Sequence, residues 1–569
     1  MKTGQSVPEV LVVGAGPTGL TLAITLRRFG IPLRIIDRAA QPATVSKALA
    51  VWSGSMEALH GMGVMDQLLA EGQRLRALTV GTDDRQLAVL AVGDGIDSPY
   101  PFPLLLAQSR TEAILTARLA ALGVTIERGV ELTGLVQDAE GVTATLTRTA
   151  PADAAGSDNG EQVRVAYLVG CDGARSAVRH ALEIPFEGYT EPGSYVLGDV
   201  KIDGGALDHR SIYVWWGRGG TIALFPFEQA VWRIFAERKG SGGSGGVVVG
   251  GRAGDSGGDA PPTLDELQAT VDRHGPPGLR LRDPSWLSAF RINERLAARY
   301  RSGRCFLAGD AAHIHSPAGG QGMNTGIQDA VNLGWKLAYV LRGVGDAGIL
   351  FDSYEAERRP VARAVVDGSA RRLHVAFATG RLMTLLRSAV VAVFGRSKKV
   401  QAKLQVELSE TEIVYRAGPL VALGNPPRRP RRTDPGSRAR DGELHGDAAG
   451  DAAGRVGVSG AETGGAETIG GEIRGSQRLW AYLADLRHTL LLFPADGRPF
   501  DLAGISDVST ERLQILRLDD RADPGGALRR RYHLDGAGWV LVRPDQVVAA
   551  RGTGTDLTPA RRYLDRILR

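Results

Sequence analysis

The chain has 569 residues, 43% of them hydrophobic, and a formal net charge of +5 at pH 7. This length predicts two or three domains with sizeable cores. Arginines and acidic residues are interleaved along most of the chain, and no apolar run could span a bilayer, so we expect neither a nucleic-acid nor a membrane partner. Cys171 and Cys305 lie at the ends of apolar runs and are interpreted as core residues, with no disulfide and no metal site. The N-terminus enters a strand without a basic leader, which predicts a cytoplasmic protein.

The first predicted unit is a strand, a helix and a second strand. Apolar runs predict strands at Glu9–Val13 and Leu33–Ile36, and a helical pattern covers Thr18–Phe29. The segment Gly14-Ala15-Gly16-Pro17-Thr18-Gly19 joins the first strand to the helix, as in a dinucleotide-binding fingerprint. Its first glycine allows a tight turn, its second admits a diphosphate to the helix N-terminus, and its third lets helix and strand pack closely.

Other residues of this unit support a nucleotide site. Pro17 is tolerated because the first helical turn has unpaired N–H groups. Asp37 ends the second strand, where it can accept hydrogen bonds from ribose hydroxyls, and Arg38 beside it is a further candidate. The unit therefore predicts nucleotide binding, and by itself it leaves NAD and FAD as alternatives.

The predicted secondary structure changes from helices to strands in the middle of the chain. Helical patterns at Ser53–Leu69 and Arg110–Leu122 are followed by strand-like alternation at Val124–Arg148 and Val163–Val169. Strands rich in aromatic residues then fill roughly residues 190–289. They are interrupted by an insertion at 240–260, composed mostly of Gly, Ser and Asp, which we expect to be mobile.

Two further segments combine glycines with one carboxylate. Cys171–Arg179 follows a predicted strand and contains Asp172, and Gly309–Asn324 follows another and contains Asp310. Closely spaced glycines let backbone N–H groups approach a flat anionic ring. Alone, either segment is more simply a surface turn that begins a helix.

Together, the fingerprint, the Asp-Gly pair at 172–173 and the Gly-Asp pair at 309–310 resemble the flavoprotein aromatic hydroxylases. These are the class A flavin monooxygenases of the p-hydroxybenzoate and phenol hydroxylase group, and the resemblance covers about residues 8–370. It implies an α/β fold in which a Rossmann-like FAD-binding domain is interleaved with a β-sheet substrate domain. It also implies FAD as cofactor, NAD(P)H as transient co-substrate and molecular oxygen as oxidant.

The same resemblance assigns roles around the flavin. Asp310 should hold the ribityl chain, Pro317 should lie beside the reactive edge of the isoalloxazine, and the backbone of Gly319–Asn324 should face its pyrimidine side. Gln108 matches a family glutamine that contacts FAD, and Lys47 stands where relatives carry an arginine. The candidate cofactor-binding residues are Gly14, Gly16, Pro17, Thr18, Gly19, Asp37, Arg38, Lys47, Gln108, Asp172, Asp310, Pro317, Gly320, Gly322, Met323 and Asn324.

The substrate is expected between the flavin segment and the aromatic-rich sheet. Because side chains alternate along a strand, only about half of the aromatic residues there can face a pocket. The substrate candidates are Tyr213, Trp215, Phe225 and Trp232. The catalytic candidates are Pro317 by its place, Arg291 as a group that could orient a phenolate or carbonyl oxygen, and His315 as a base. The alternatives are a solvent-facing role for Arg291 and a role without base catalysis for His315.

The resemblance implies hydride transfer from NAD(P)H to FAD, oxygen capture as a C4a-hydroperoxide, and hydroxylation of a polycyclic, polyketide-type aromatic substrate. Two alternatives stay open. A Baeyer–Villiger or ring-rearranging oxygenase could use the same cofactor, and a non-catalytic flavin- or substrate-binding protein could share the fold.

The predicted domains follow from these motifs. Segments 1–189 and 290–370 form the FAD-binding domain, 190–289 the substrate sheet, 371–423 a helical connection, 424–475 a flexible linker and 476–569 a C-terminal domain. The run Trp539–Asp545 resembles the thioredoxin-like domain appended to phenol hydroxylase. No cysteine follows Cys305, so we expect this domain to serve packing or dimer contacts rather than dithiol chemistry, in a monomer or homodimer.

Overall fold

A computed structural model describes the chain over these residues: 8–44, 46, 48–82, 85–148, 160–217, 220–228, 230–238, 260–377, 397–425, 432–445, 477–495, 497–503, 505, 508 and 511–568. Lys47, all of the insertion 240–260 except its last residue, and much of the linker 424–475 lie outside them. Within the described ranges, no helix is both long and apolar enough to cross a membrane.

The described residues form helices, strands and two short 3-10 turns, at Gly309–Ala311 and Pro524–Gly526. The helices are α1 (Pro17–Arg28), α2 (Ser53–His60), α3 (Met65–Glu71), α4 (Gln108–Ala121), α5 (Ala177–Ala181), α6 (Leu264–His274), α7 (Gly322–Leu341), α8 (Ala347–Phe377), α9 (Lys398–Ser409), α10 (Pro419–Leu423), α11 (Leu479–Leu483), α12 (Ala527–Arg531) and α13 (Thr558–Ile567). The strands are β1 (Val10–Val13), β2 (Leu33–Asp37), β3 (Ala50–Val51), β4 (Gln73–Arg74), β5 (Ala77–Thr82), β6 (Arg85–Ala91), β7 (Leu104–Leu105), β8 (Ile126–Arg128), β9 (Val130–Gln137), β10 (Val142–Arg148), β11 (Glu161–Val165), β12 (Tyr167–Gly170), β13 (Phe186–Asp203), β14 (Ser211–Gly217), β15 (Gly220–Glu228), β16 (Val231–Arg238), β17 (Arg280–Ala297), β18 (Arg301–Ser302), β19 (Cys305–Leu307), β20 (His313–Ile314), β21 (Glu443–Leu444), β22 (Gln477–Arg478), β23 (His488–Phe493), β24 (Leu513–Arg517), β25 (Gly538–Val542) and β26 (Val548–Thr553).

The N-terminal unit belongs to a six-stranded sheet with the order β18-β19-β12-β1-β2-β8. The strands β19, β12, β1, β2 and β8 are parallel, and only β18 runs antiparallel to its neighbour. β1 and β12 are buried along their whole length, as expected for strands covered on both faces. The carboxyl ends of β1, β12 and β19 therefore meet at one edge of the sheet.

Glycines let α7 pack closely against α1. A Cβ at Gly326 would lie 2.4 Å from Thr18 Oγ1, and a Cβ at Gly334 would lie 2.6 Å from Thr25 Cγ2. Gly309, which has a φ of +61°, also lies against Thr18, where a Cβ would approach Oγ1 to 2.5 Å. The turn after β19 and the start of α7 are thus held against the first turn of α1.

The second large sheet has eight strands in the order β20-β17-β13-β16-β15-β14-β5-β6. Its strands are antiparallel except for the parallel pair β5 and β14. β13 and β17 have 18 residues each and run through the predicted domain boundaries near residues 190 and 290. Those boundaries stay a prediction, whereas the mixed α/β class is confirmed by the two sheets and their helices.

A smaller sheet near the C-terminus has the order β24-β23-β25-β26. β23 is parallel to β24 and antiparallel to β25, which is antiparallel to β26. Leu490, Trp539 and Tyr563 of this part share one apolar cluster with Leu22 of α1 and Leu333 of α7. The C-terminal part, from β22 onward, therefore packs directly on the apolar core that the first sheet forms with α1 and α7.

We expect the substitution Gly334→Ala to lower the free energy of unfolding by about 1–3 kcal/mol, because the added methyl group overpacks the α1–α7 contact. Gly348→Ala in α8 is the control, since its Cβ would meet only Asp346 Oδ1, at 3.3 Å. Alanine has the higher helix propensity, so the control should be neutral or stabilising. Urea unfolding of both variants measures the difference, and equal effects would show that the close helix contact carries no special cost.

Candidate functional site

The three motifs converge at the carboxyl edge of the six-stranded sheet. The first motif is the fingerprint Gly14–Gly19, the second is Cys171–Arg179 and the third is Gly309–Asn324. The Cys171 amide donates to Val13 O at 2.7 Å, and the Ala308 amide donates to Gly170 O at 3.0 Å. Gly14 has a φ of +102°, and a Cβ there would lie 2.4 Å from Cys171 O. Only glycine permits this approach of the first motif to the second, in the crevice where open α/β sheets bind ligands.

Two glycines of the fingerprint serve packing and one leaves space. A Cβ at Gly19 would lie 1.9 Å from Gly14 O, whereas a Cβ at Gly16 would meet no described atom within 4 Å. Gly16 precedes Pro17, the first residue of α1, so the open space lies at the N-terminus of that helix. Backbone N–H groups and the helix dipole make such a position favourable for an anion.

Asp37, the last residue of β2, is hydrogen-bonded to the fingerprint loop. Its Oδ2 accepts a hydrogen bond from the Ala15 amide and its Oδ1 accepts one from the Ala39 amide, both at 2.8 Å. Arg38 follows it and is exposed. The sheet thus brings these candidates to the same loop as Gly16.

The second motif is tied to the third by Arg179. Its Nη1 donates to Ala311 O at 3.0 Å and its Nη2 to Ala174 O at 2.8 Å. Asp172 accepts a bond from the Val178 amide through Oδ2, while its buried Oδ1 has no hydrogen-bond partner within the described ranges. Burial raises the pKa of Asp172. A buried acceptor oxygen of this kind usually faces a donor.

The third motif begins with the turn Gly309–Ala311. The Gly309 amide donates to Asp329 Oδ2 at 3.1 Å, which holds the turn on α7. Asp310, the next residue, is exposed, and so is Pro317 farther along the loop. The carboxylate and the proline therefore both reach the protein surface.

The loop before α7 is held by Asn324 and by Trp52, which lies between β3 and α2. Trp52 Nε1 donates to Gly319 O at 2.8 Å, and the Trp52 amide donates to Asn324 Oδ1 at 2.7 Å. Asn324 Nδ2 donates to Ala50 O and to Gly320 O. The Asn324 side chain is thus engaged within the protein, and so are the amide and carbonyl groups of Gly320, whereas Gly322 and Met323 are the first two residues of α7.

Gln108 begins α4 and fixes the segment around residue 48. Its Oε1 accepts from the Ala48 amide at 3.1 Å, and its Nε2 donates to Glu112 at 2.8 Å. Ser46 Oγ accepts from the Ser109 amide at 3.0 Å. The first turn of α4 therefore positions both sides of residue 47.

The two histidines after Asp310 differ in their surroundings. His313 Nε2 donates to Asp329 Oδ2 at 2.7 Å, and Arg358 Nε donates to Asp329 Oδ1 at 2.7 Å, so His313 belongs to a buried ionic group. His315 Nδ1 donates to Ser316 O at 2.7 Å, which leaves Nε2 as the acceptor nitrogen. Burial lowers the pKa of His315 to about 4, so its imidazole is neutral at pH 7 and a weak base.

Glu294 is a site residue that the sequence interpretation missed. Its Oε1 accepts a hydrogen bond from the Ser316 amide at 3.0 Å, directly before Pro317. The side chain is buried, and burial raises its pKa to about 7. The period-2 alternation of β17 could have found it, because Phe290, Ile292 and Glu294 share one face.

An aromatic cluster of the eight-stranded sheet faces the loop after Pro317. The rings of Tyr195 and Phe235 are stacked with centroids 5.5 Å apart, and the Phe235 and Phe290 centroids are 6.1 Å apart. Ala318 packs against this cluster, and so does Phe225, one of the four substrate candidates. This face therefore adjoins the third motif.

The other substrate candidates lie on the opposite face of the same sheet. Tyr213, Trp215 and Trp232 are buried in the apolar core with Leu267 of α6. Arg291 alternates with Phe290 along β17 and is exposed, so it also points away from the aromatic cluster. The structure brings Phe225 to the loop and does not bring these four residues there.

We expect Glu294 to make stability depend on pH. Its pKa of about 7 in the folded chain exceeds the ordinary value of 4.5, so folding takes up a proton between these values. The stability that Glu294 contributes is therefore complete below pH 4.5 and is lost as the pH rises through 7. The free energy of unfolding of the wild type minus that of Glu294→Gln should fall by on the order of 2 kcal/mol between pH 5 and 8. Urea unfolding at both pH values measures this, with Glu187→Gln at an exposed position of β13 as control, and an unchanged difference would contradict it.

Residues 8–369 match the family model described as FAD binding domain. The 6-methylpretetramide 4-monooxygenase of Streptomyces rimosus is 36% identical, over 97% of this chain and 93% of that protein. Among solved structures, OxyS anhydrotetracycline hydroxylase from Streptomyces rimosus has a TM-score of 0.70 at 30% identity, covering 97% of this chain and 98% of the other. CabE, an aromatic hydroxylase from angucycline biosynthesis, has a TM-score of 0.71 at 27% identity, covering 99% of this chain and all of the other.

These similarities extend over all three motifs and confirm the resemblance seen in the sequence. FAD is accordingly the cofactor. The chain belongs to the FAD binding domain family and is a flavoprotein monooxygenase of the aromatic hydroxylase type.

Proposed function

We propose that this monooxygenase uses NAD(P)H and molecular oxygen to hydroxylate a polycyclic, polyketide-type aromatic substrate. The supporting observation is the aromatic face of Tyr195, Phe235 and Phe290, which packs against Ala318 one residue after Pro317. Aromatic side chains favour stacked or edge-to-face contacts with planar rings. Relatives named for 6-methylpretetramide and anhydrotetracycline support a substrate of this class.

The residues at the crevice fit FAD. The diphosphate would lie at the open N-terminus of α1 beside Gly16, and a ribose would lie near Asp37. The buried Oδ1 of Asp172, for which the described residues supply no hydrogen-bond partner, offers an acceptor at the same edge. Asp310 would hold the ribityl chain, and the backbone from Gly320 to Asn324 would face the isoalloxazine. When bound and reduced, FAD activates molecular oxygen for transfer of one oxygen atom to the substrate.

The chain's own residues act mainly by positioning. Glu294 holds the Ser316 amide, and Trp52 holds Gly319 O, so the loop that carries Pro317 is fixed on both sides. The aromatic face would orient the substrate ring and exclude water from the reacting atoms. His315, neutral at pH 7, can accept a proton or hydrogen bond through Nε2 but binds a proton weakly.

We also propose that the C-terminal part is thioredoxin-like. Its four-stranded mixed sheet with one parallel pair, and α13 beside β26, support this. The only two cysteines of the chain are Cys171 and Cys305, so this part contains no dithiol and serves packing.

Product analysis under labelled oxygen tests the reaction. The purified protein should be yellow and should oxidise NAD(P)H faster when polycyclic phenols are added. With ¹⁸O₂, mass spectrometry should find one label in a new hydroxyl group. A label in a lactone or ester would establish Baeyer–Villiger insertion instead, and flavin binding without substrate-stimulated oxidation would favour a non-catalytic binding protein.

The two faces of β17 provide a matched test of substrate orientation. We expect Phe290→Ala to raise KM about tenfold without loss of FAD absorbance, because one aromatic contact of about 1 kcal/mol or more disappears. Arg291→Ala, one residue away on the opposite face, should change KM less. A larger effect of Arg291→Ala would instead support the sequence-based role of Arg291 in orienting an oxygen of the substrate.

A further inference from the structure

A residue of the C-terminal part enters a buried ionic group on α8. Arg543, directly after β25, donates from Nη1 to Glu357 Oε1 at 2.6 Å and from Nη2 to Glu357 Oε2 at 2.9 Å. Its Nε donates to Asp545 Oδ1 at 2.8 Å. The side chains of all three residues are no more than 4% exposed. A bidentate contact of this kind fixes geometry as well as charge.

The same group includes two side chains of α7. Lys336 Nζ and Asn332 Nδ2 each donate to Glu357 Oε2 at 2.8 Å. Burial disfavours the Glu357 carboxylate, yet Arg543 and Lys336 beside it lower its pKa to about 2. The two cations and the two carboxylates, those of Glu357 and Asp545, balance each other, so loss of Arg543 would leave buried negative charge uncompensated.

The next residue of α8 continues the chain of contacts toward the Gly309 turn. Arg358 Nη1 donates to Tyr415 OH at 3.3 Å, and Asn332 Nδ2 donates to the same hydroxyl at 3.4 Å. Arg358 Nε donates to Asp329 Oδ1 at 2.7 Å, and Asp329 Oδ2 accepts from the Gly309 amide. Polar side chains thus form an unbroken, buried path from Arg543 to the turn that presents Asp310.

We propose that Arg543 is a positioning residue for the turn Gly309–Ala311, so that the C-terminal part adjusts the affinity for FAD. This rests on the proposed function only in placing that turn at the cofactor. Two bonds from Arg543 fix Glu357, the next member of the path, and each following side chain is held by two partners in turn. A change at Arg543 can therefore shift Asp329 and the Gly309 amide, whereas apolar packing alone would dock the two parts without reaching the turn.

The test compares two arginines of the C-terminal part. Arg529 is the control, because its Nη1 donates to Gly536 O and its Nη2 to Pro494 O, and neither bond involves a member of the path. In the full-length protein, Arg543→Met should raise the Kd for FAD at least tenfold and alter the flavin absorption spectrum. Arg529→Met should lower Tm while leaving the Kd within about twofold. Equal changes of Kd in the two variants, or none in Arg543→Met, would overturn the proposal.

A milder variant keeps the test decisive if Arg543→Met does not fold. Arg543→Lys retains the charge but loses the two-pronged contact, and it should raise the Kd about threefold. Because coupling is reciprocal, FAD should slow hydrogen exchange of the Arg543 and Gln546 amides in the wild type and do so less in Arg543→Lys. Unchanged FAD affinity and exchange in Arg543→Lys would refute the role. If the wild type binds FAD normally but does not hydroxylate, the proposed reaction is refuted and the proposed role of Arg543 is not.

Discussion

Helix α7 approaches α1 so closely that glycine is required where the two helices touch, and the same approach presses the Gly309 turn against Thr18. Thr18 belongs to the dinucleotide fingerprint at the other end of the proposed cofactor. Two segments almost three hundred residues apart in the chain are thereby packed into one rigid contact. The distance between the proposed diphosphate and ribityl positions is set by backbone packing, which side-chain motion changes little.

Around this contact, hydrogen bonds from side chains hold the loop between Ser316 and Gly319. Trp52, Glu294 and Arg372 each bond the backbone between Ser316 and Gly319, and they come from the turn before α2, from β17 and from α8. A loop held from three sides is organised before any ligand arrives, so little free energy is spent on ordering it during binding or reaction. The buried acids and bases near the crevice therefore act first as structure, and their unusual pKa values follow from their burial.

The sequence predicted the cofactor and the three motifs that meet at one edge of the first sheet, but it did not predict which aromatic side chains lie near Pro317, for a physical reason. Glycine-rich turns at strand ends are local features, so Gly14–Gly19, Asp172 and Asp310 could be placed from short motifs. The face of a strand is settled by long-range packing: Tyr213 and Trp215 are aromatic in the right region but are buried against α6. The role of Trp52 could not be read from a local motif, because its indole bonds Gly319, a residue far away in the chain.

The 18-residue strands β13 and β17 carry a mechanical consequence. They pair from Phe186 and Ala297 at one end to Asp203 and Arg280 at the other. Ala297 bonds Ala312 beside the third motif, and Val200 near the far end lies in the core with α6. One continuous ribbon thus spans from the third motif to the far side of the aromatic sheet. If the substrate binds on the aromatic face as proposed, this ribbon would hold that face at a fixed position relative to the third motif.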